Sequence, residues 1–187
     1  LQASRGVFFI TGNHESYAGL AAPLALLKQT KIRILDDECV DLDGLQLVGI
    51  SFPWFSRDRP SVNPFDGGGC YRPDKPSILL YHTPTDIHQK FGDRNTQQLQ
   101  SYFNPETTFS FAAEAGVDLQ LSGHTHRGQM FPFGILTRIL WNGFDRGLHT
   151  IGGLTLYVSS GTGTWGPLVR TGSRSEVVAI TLRRREG

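Results

Sequence analysis

The sequence predicts an α/β fold in which strands alternate with helices around mixed sheets, and three observations predict it. Short apolar runs such as "VFFI", "SILLY" and "DLQLS" recur, with helical or glycine- and proline-rich stretches between them. That is the pattern of a layered α/β sandwich rather than of a helical bundle. Three of the apolar runs lead directly into ligand-type residues: Asn13 and His14, His82, and the pair His124 and His126. Finally, 187 residues are one domain's worth and enough to bury a core.

Taken in order, "GVFFITGNHES" reads as a buried strand over Val7 to Ile10 that turns at Gly12-Asn13. A chain that enters a core strand so soon after Leu1, without an initiator methionine, reads as an internal piece. Residues 1–187 are therefore taken as a single domain, the C-terminal part of a longer one. "SYAGLAAPLALLKQT" has the apolar spacing of a helix, with Ser16 as its N-cap. "IRIL", "ECVDL" and "LQLVGI" are short strands, and Asp43-Gly44 is the hairpin turn between the last two. Residues 52 to 76 form a long loop rich in proline and glycine, a length that usually serves function. "SILLYH" is a buried strand ending at His82, and residues 85 to 116 are helical in pieces, broken near Phe91-Gly92 and Asn104-Pro105. "VDLQLSGHTH" is another buried strand. The tail, "GLHTIGGLTLYVSSGTGTWGP" and then "SEVVAITLR", reads as three antiparallel strands and a glycine-rich loop.

Composition removes several function classes. Lysine and arginine total 18 against 17 acidic residues, so a formal charge of +1 leaves no electrostatic footprint of a nucleic-acid binder. Arg183, Arg184 and Arg185 read as a solvated tail. Cys39 and Cys70 form no C-x-x-C motif, and whether they pair is left open. No stretch approaches the roughly 20 apolar residues of a bilayer span, so no transmembrane segment is expected in these residues.

The strand-end residues carry the chemistry. In open α/β sheets ligands bind beyond the carboxyl ends of the strands. Residues i and i+2 of an extended segment point the same way, so His124 and His126 are able to face one site. Imidazole nitrogens with an amide oxygen suit a borderline divalent ion such as Zn, Mn or Fe.

"GNHE", "LLYHTP" and "GHTHRGQ" resemble the later signature motifs of the calcineurin-like metallophosphoesterases. The closing "GLHTIGGLTLYVSSGTGTWGP" with "GSRSEVVAITL" resembles the YkuE/YaeI-like branch, which holds bacterial and membrane-linked members. The resemblance implies a sandwich of two mixed β-sheets flanked by helices, with two divalent metal ions (Mn, Fe or Zn) at the sheet ends. By position, Asn13, His82 and His124 would bind one metal and His126 the other. His14 would be the general acid or transition-state stabiliser, oriented by Glu15 where the family usually has Asp. The implied activity is phosphoester hydrolysis, most directly of a phosphodiester, by a hydroxide that two metals activate. The alternative is a non-catalytic scaffold of the same fold that binds a partner protein.

The family's opening motifs, D-x-H and G-D-x-x-D, do not occur in their places. The resemblance thus implies that an N-terminal strand-helix-strand unit lies upstream, and that this chain alone is inactive. Asp86 to His88 has the right letters but follows Pro84 at a helix start, where i and i+2 diverge. Gly92 to Thr96 lacks the second carboxylate. Both are expected to face solvent. Arg127 reads either as a partner of a substrate phosphate, through its planar fork, or as a solvated loop residue. Trp165 reads as packing beneath its loop, with contact to substrate as the other reading. The substrate suggested by the resemblance is a lipid-linked or cell-envelope phosphoester. The suggested location is membrane-associated or extracytoplasmic.

Overall fold

The computed structural model describes residues 2–52, 62–87 and 105–183. A small parallel sheet pairs β1 (Val7–Phe9) with β2 (Ile32–Ile34), Val7 opposite Ile32. A larger mixed sheet has six strands: β3 (Glu38–Leu42), β4 (Leu45–Ile50), β5 (Ser77–Tyr81), β6 (Leu119–Ser122), β7 (Gly147–Ile151) and β8 (Leu154–Val158). Their order across the sheet is β3-β4-β5-β6-β8-β7. A six-stranded mixed sheet and a parallel pair, flanked by helices, make the layered α/β sandwich that was expected.

The four inner strands run parallel, and only the β3–β4 and β7–β8 hairpins are antiparallel. Parallel strands covered on both faces read as continuous apolar runs, and β4 is buried from Gln46 to Ile50. Val48, Ile50, Leu79, Leu154, Leu156 and Val158 form the centre of the core, with Tyr81, Ile87 and Phe109. The β3–β4 turn puts Asp43 at φ 56° and Gly44 at φ 93°, the left-handed pair of a tight hairpin. Gly49 lets the two sheets meet. A Cβ there would stand less than 2.5 Å from that of Leu35, and Leu35 itself is hydrogen-bonded back to Phe9.

The expected helix from Ser16 is two helices, α1 (Asn13–Tyr17) and α2 (Ala21–Leu27). Gly19, at φ 76°, breaks them apart, and Ser16 lies buried in α1 instead of capping a helix. Within 85–116 the described helix is α3 (Ser110–Glu114), and the expected break at Phe91-Gly92 lies outside the described residues. Asp86 is not solvent-facing. It is fully buried and accepts from Ser110 Oγ at 3.1 Å and from the Phe111 N–H at 3.0 Å. Its carboxylate thus takes up donors at the start of α3, a long-range role invisible in the local pattern. His88 and residues 92–96 lie outside the described residues.

A short 3₁₀ turn (His126–Gly128) leads into α4 (Phe133–Leu140), a helix the sequence reading did not assign. The third tail strand is absent among the described residues. "SEVVAITL" joins no sheet, with Val177 89% exposed. Apolar spacing marks a segment able to form a strand, but a strand also needs a neighbour's amides and carbonyls within reach.

Cys39 and Cys70 form a disulfide across 31 residues, tying β3 to the glycine-rich loop before β5. In the chain-entropy account, closing a loop of about this length stabilises by roughly 3–4 kcal/mol. Cys39→Ser with Cys70→Ser is therefore expected to lower the urea midpoint, and reduction of the parent protein should reproduce the loss. Equal midpoints for the parent and the double variant would remove the disulfide from the account of stability.

Candidate metal centre

Three strands end at one edge of the molecule. β5 and β6 run parallel in register, Leu80 opposite Leu121. The Gly123 N–H donates to the His82 carbonyl at 2.9 Å and extends the ladder past both strands. His82 and His124 therefore leave the sheet side by side. The segment after β1 joins them because Phe52, just past β4, donates its N–H to the Thr11 carbonyl at 3.2 Å. That contact sets Gly12 and Asn13 over the same edge.

Asn13 Oδ1 lies 2.8 Å from His82 Nε2 and 3.3 Å from His124 Nδ1, and the two ring nitrogens are 3.1 Å apart. Donors about 2.1 Å from one cation stand roughly 3.0–3.4 Å from each other, so these three atoms have the mutual spacing of ligands on one ion. Burial, and then the charges of His126 and His14, pushes His82 down to about 3. Burial also holds His124 well below the ordinary imidazole value, followed by the charges of His82, His126 and His14. Both rings are thus neutral near pH 7, the form in which imidazole offers a lone pair to a metal. Among the described residues no cluster of three or more His, Cys, Asp and Glu side chains forms. The third donor of this trio is an amide oxygen, which suits a hard or borderline divalent ion.

Gly12 is a steric requirement of the trio. A Cβ at that position would fall 2.7 Å from His82 Cε1. We expect Gly12→Ala to push the His82 ring off Asn13 and to weaken Mn²⁺ binding at least about tenfold, the lower end of the effect of disturbing a ligand's support. Isothermal titration of the two proteins measures it. Unchanged affinity would mean that His82 does not need the close approach.

The walls are aromatic. Phe52 lies edge-on to His82, with centroids 5.6 Å apart, and stacks on His124 at 6.2 Å. Trp141, at the end of α4, meets His124 edge-on at 5.5 Å. The turn that carries the second histidine is strained. His124, His126, Arg127 and Gln129 all have φ between 49° and 70°, each at a cost of order 1 kcal/mol that surrounding contacts must offset.

His126 does not join the trio's hydrogen bonds. Its Nδ1 faces the Arg170 guanidinium at 3.2 Å, and burial, then Arg170 and His14, lowers its pKa to about 4. His14 is exposed at the rim of the site, its ring against Tyr17 at 5.8 Å. Glu15 accepts the Gly12 N–H at 2.7 Å, half of a capping box that fixes the turn carrying Asn13 and His14. Arg127 is half-buried; burial holds the nearby Asp145 carboxyl above the ordinary carboxylate value, an effect that the Arg138 and Arg127 charges oppose in part. Trp165 is not packed beneath its loop: the residue is 43% exposed, while its backbone N–H donates to Gln129 Oε1 at 2.8 Å. Gln129, fully buried, also donates to the carbonyls of Trp165 and Pro167 and so clamps that loop.

Sequence reasoning missed Phe52, Trp141 and Arg170. Arg170 also donates to the carbonyls of Ser160 and Gly163, at 2.7 and 2.6 Å. It is an anchor of the loop around the site, 44 residues beyond His126, and no local spacing signals it.

The family model for calcineurin-like phosphoesterases matches residues 2–128. An uncharacterized metallophosphoesterase of Helicobacter pylori J99 is 35% identical over 185 residues, covering 97% of this chain and 44% of the relative. One from Campylobacter jejuni is 36% identical, covering 95% and 42%. A Bos taurus "transmembrane protein with metallophosphoesterase domain" is 29% identical, covering 98% and 40%. The chain spans less than half the length of these relatives. No solved structure matches it significantly.

Proposed function

The chain belongs to the calcineurin-like phosphoesterase family, and from that premise we propose that the full-length protein hydrolyses a phosphodiester, with Asn13, His82 and His124 holding one divalent cation. Metal-dependent phosphoester hydrolysis is the activity of the family in general. The phosphodiester, the residue roles and the metal identity (Mn, Fe or Zn) are part of the proposal. The observation that carries it is the meeting of three neutral donors, 2.8–3.3 Å apart, at one sheet edge.

When bound, the ions would supply a low-pKa water and neutralise charge on the phosphate oxygens. The chain's own residues do the rest. A hydroxide from that water, its proton lost to solvent, would bond phosphorus while the bond from phosphorus to the leaving alkoxide breaks. His14, exposed at the rim, passes a proton to that alkoxide as a general acid. Glu15 positions it by holding the first turn of α1 through the Gly12 N–H. Phe52 and Trp141 keep water from the far side of His82 and His124. Arg127 offers a planar fork to a phosphate oxygen. His126 is assigned to the second ion, for which the Arg170 guanidinium must release Nδ1 or the ring must turn.

On the same reading the substrate is lipid-linked or from the cell envelope. The Bos taurus relative's description as a transmembrane protein supports this. No helix among the described residues is long and apolar enough to cross a membrane. The 187-residue chain by itself is proposed to be inactive, since three donors and one separate imidazole do not make a two-ion clamp. The test compares this chain with the full-length protein on bis-p-nitrophenyl phosphate with excess Mn²⁺. Turnover by the full-length protein alone, abolished by EDTA, is expected. Equal turnover by the two would overturn the reading of the site, and a metal-loaded full-length protein without turnover would favour a scaffold.

A further inference from the structure

The outward face of α4 is apolar. Phe133, Ile135, Leu136 and Ile139 are 50–67% exposed, and Phe131, just before the helix, is 74% exposed. The inward side carries Gly134, Thr137 and Trp141, which are half-buried or buried. A surface helix of a soluble domain ordinarily has the reverse arrangement. The patch extends beyond the helix. The Phe131 N–H donates to Thr171 Oγ1 at 3.0 Å, and the Gln129 clamp holds the loop from Trp165 to Pro167 alongside. That loop ends in Leu168, 91% exposed.

Charge says what fits this face. Residues 119 to 175 hold five arginines (Arg127, Arg138, Arg146, Arg170 and Arg174) against a single acid, Asp145. Asp145 is only 2% exposed. The other residues carry 13 basic against 16 acidic side chains, so the positive charge is concentrated in this region. Large apolar side chains on a helix that also carries the exposed Arg138, within an arginine-rich stretch, match the interface of an anionic bilayer, where an amphipathic helix lies in the plane of the membrane. Eight residues are far short of the roughly 20 that span one. A second copy fits worse, because a two-fold contact sets the same arginines against themselves.

We propose that α4 and the loop at Leu168 form a docking surface for anionic phospholipid membranes. Docking there would hold the edge of the metal centre at headgroup level. The His126–Gly128 turn packs so closely on the helix that a Cβ on Gly128 would fall less than 2.5 Å from Gly134 N.

The test is flotation of the chain with phosphatidylglycerol vesicles and with phosphatidylcholine vesicles, without metal or substrate. Its outcome is therefore independent of the proposed hydrolysis. Binding to phosphatidylglycerol, at least about tenfold weaker in Ile135→Asp/Ile139→Asp and in Leu168→Asp and weakened by salt, is expected from the joint apolar and electrostatic terms. These side chains are exposed, so the variants should keep the parent circular dichroism spectrum. Three results would overturn the proposal: no flotation with phosphatidylglycerol, flotation unchanged in both variants, or a dimer that the same substitutions dissolve.

Discussion

Replacing His124 by alanine in the full-length protein is expected to remove metal and turnover together. The ring nitrogen lost lies 3.1 Å from His82 Nε2 and 3.3 Å from Asn13 Oδ1, and among the described residues no further imidazole or carboxylate completes a metal-binding group with them. Removing a group behind a metal ligand costs 10–100-fold in affinity or activity, so loss of a ligand itself should exceed about 100-fold. Inductively coupled plasma analysis and turnover on bis-p-nitrophenyl phosphate read the two effects separately. The site lies on the parallel edge of β5 and β6, and the backbone ladder there does not depend on the ring. Stability should therefore change less than metal content. A His124→Ala protein with parental metal content would remove His124 from the ligand set.

The second large effect separates His14 from the proposed metal ligands. His14 sits next to Asn13 in the chain yet stands at the rim, with its ring against Tyr17. His14→Ala should leave metal content near the parental value and lower kcat by roughly 10²–10⁴-fold, the usual contribution of a general acid. The deficit should shrink for aryl esters, whose leaving groups need less protonation, and persist for alkyl esters. A His14→Ala protein that loses its metal would reassign His14 as a ligand. Equal deficits for aryl and alkyl substrates would assign it to charge stabilisation instead.

These tests depend on how far the site could be read without coordinates. Asn13, His82 and His124 stand out in the sequence because each follows an apolar run. The inner strands of the larger sheet are parallel, so β5 and β6 end at the same edge. Parallel pairing turns a repeated local motif into a spatial cluster. The hairpin at Asp43-Gly44 was legible for a similar reason, since its turn chemistry is contained in adjacent residues.

What the sequence determined by itself is therefore local: the position of most strands, the turn residues between them, and the ligand-type side chains at their ends. Tertiary structure decided whatever depends on a distant partner. It directed His126 toward Arg170 rather than to the trio, buried Asp86 against α3, joined Cys39 to Cys70, and left "SEVVAITL" without a sheet. It also turned the apolar side of α4 outward. Spacing along a chain records which side chains share a face. Only the three-dimensional packing sets what that face meets, because hydrogen-bond partners and burial come from segments 25 to 44 residues away.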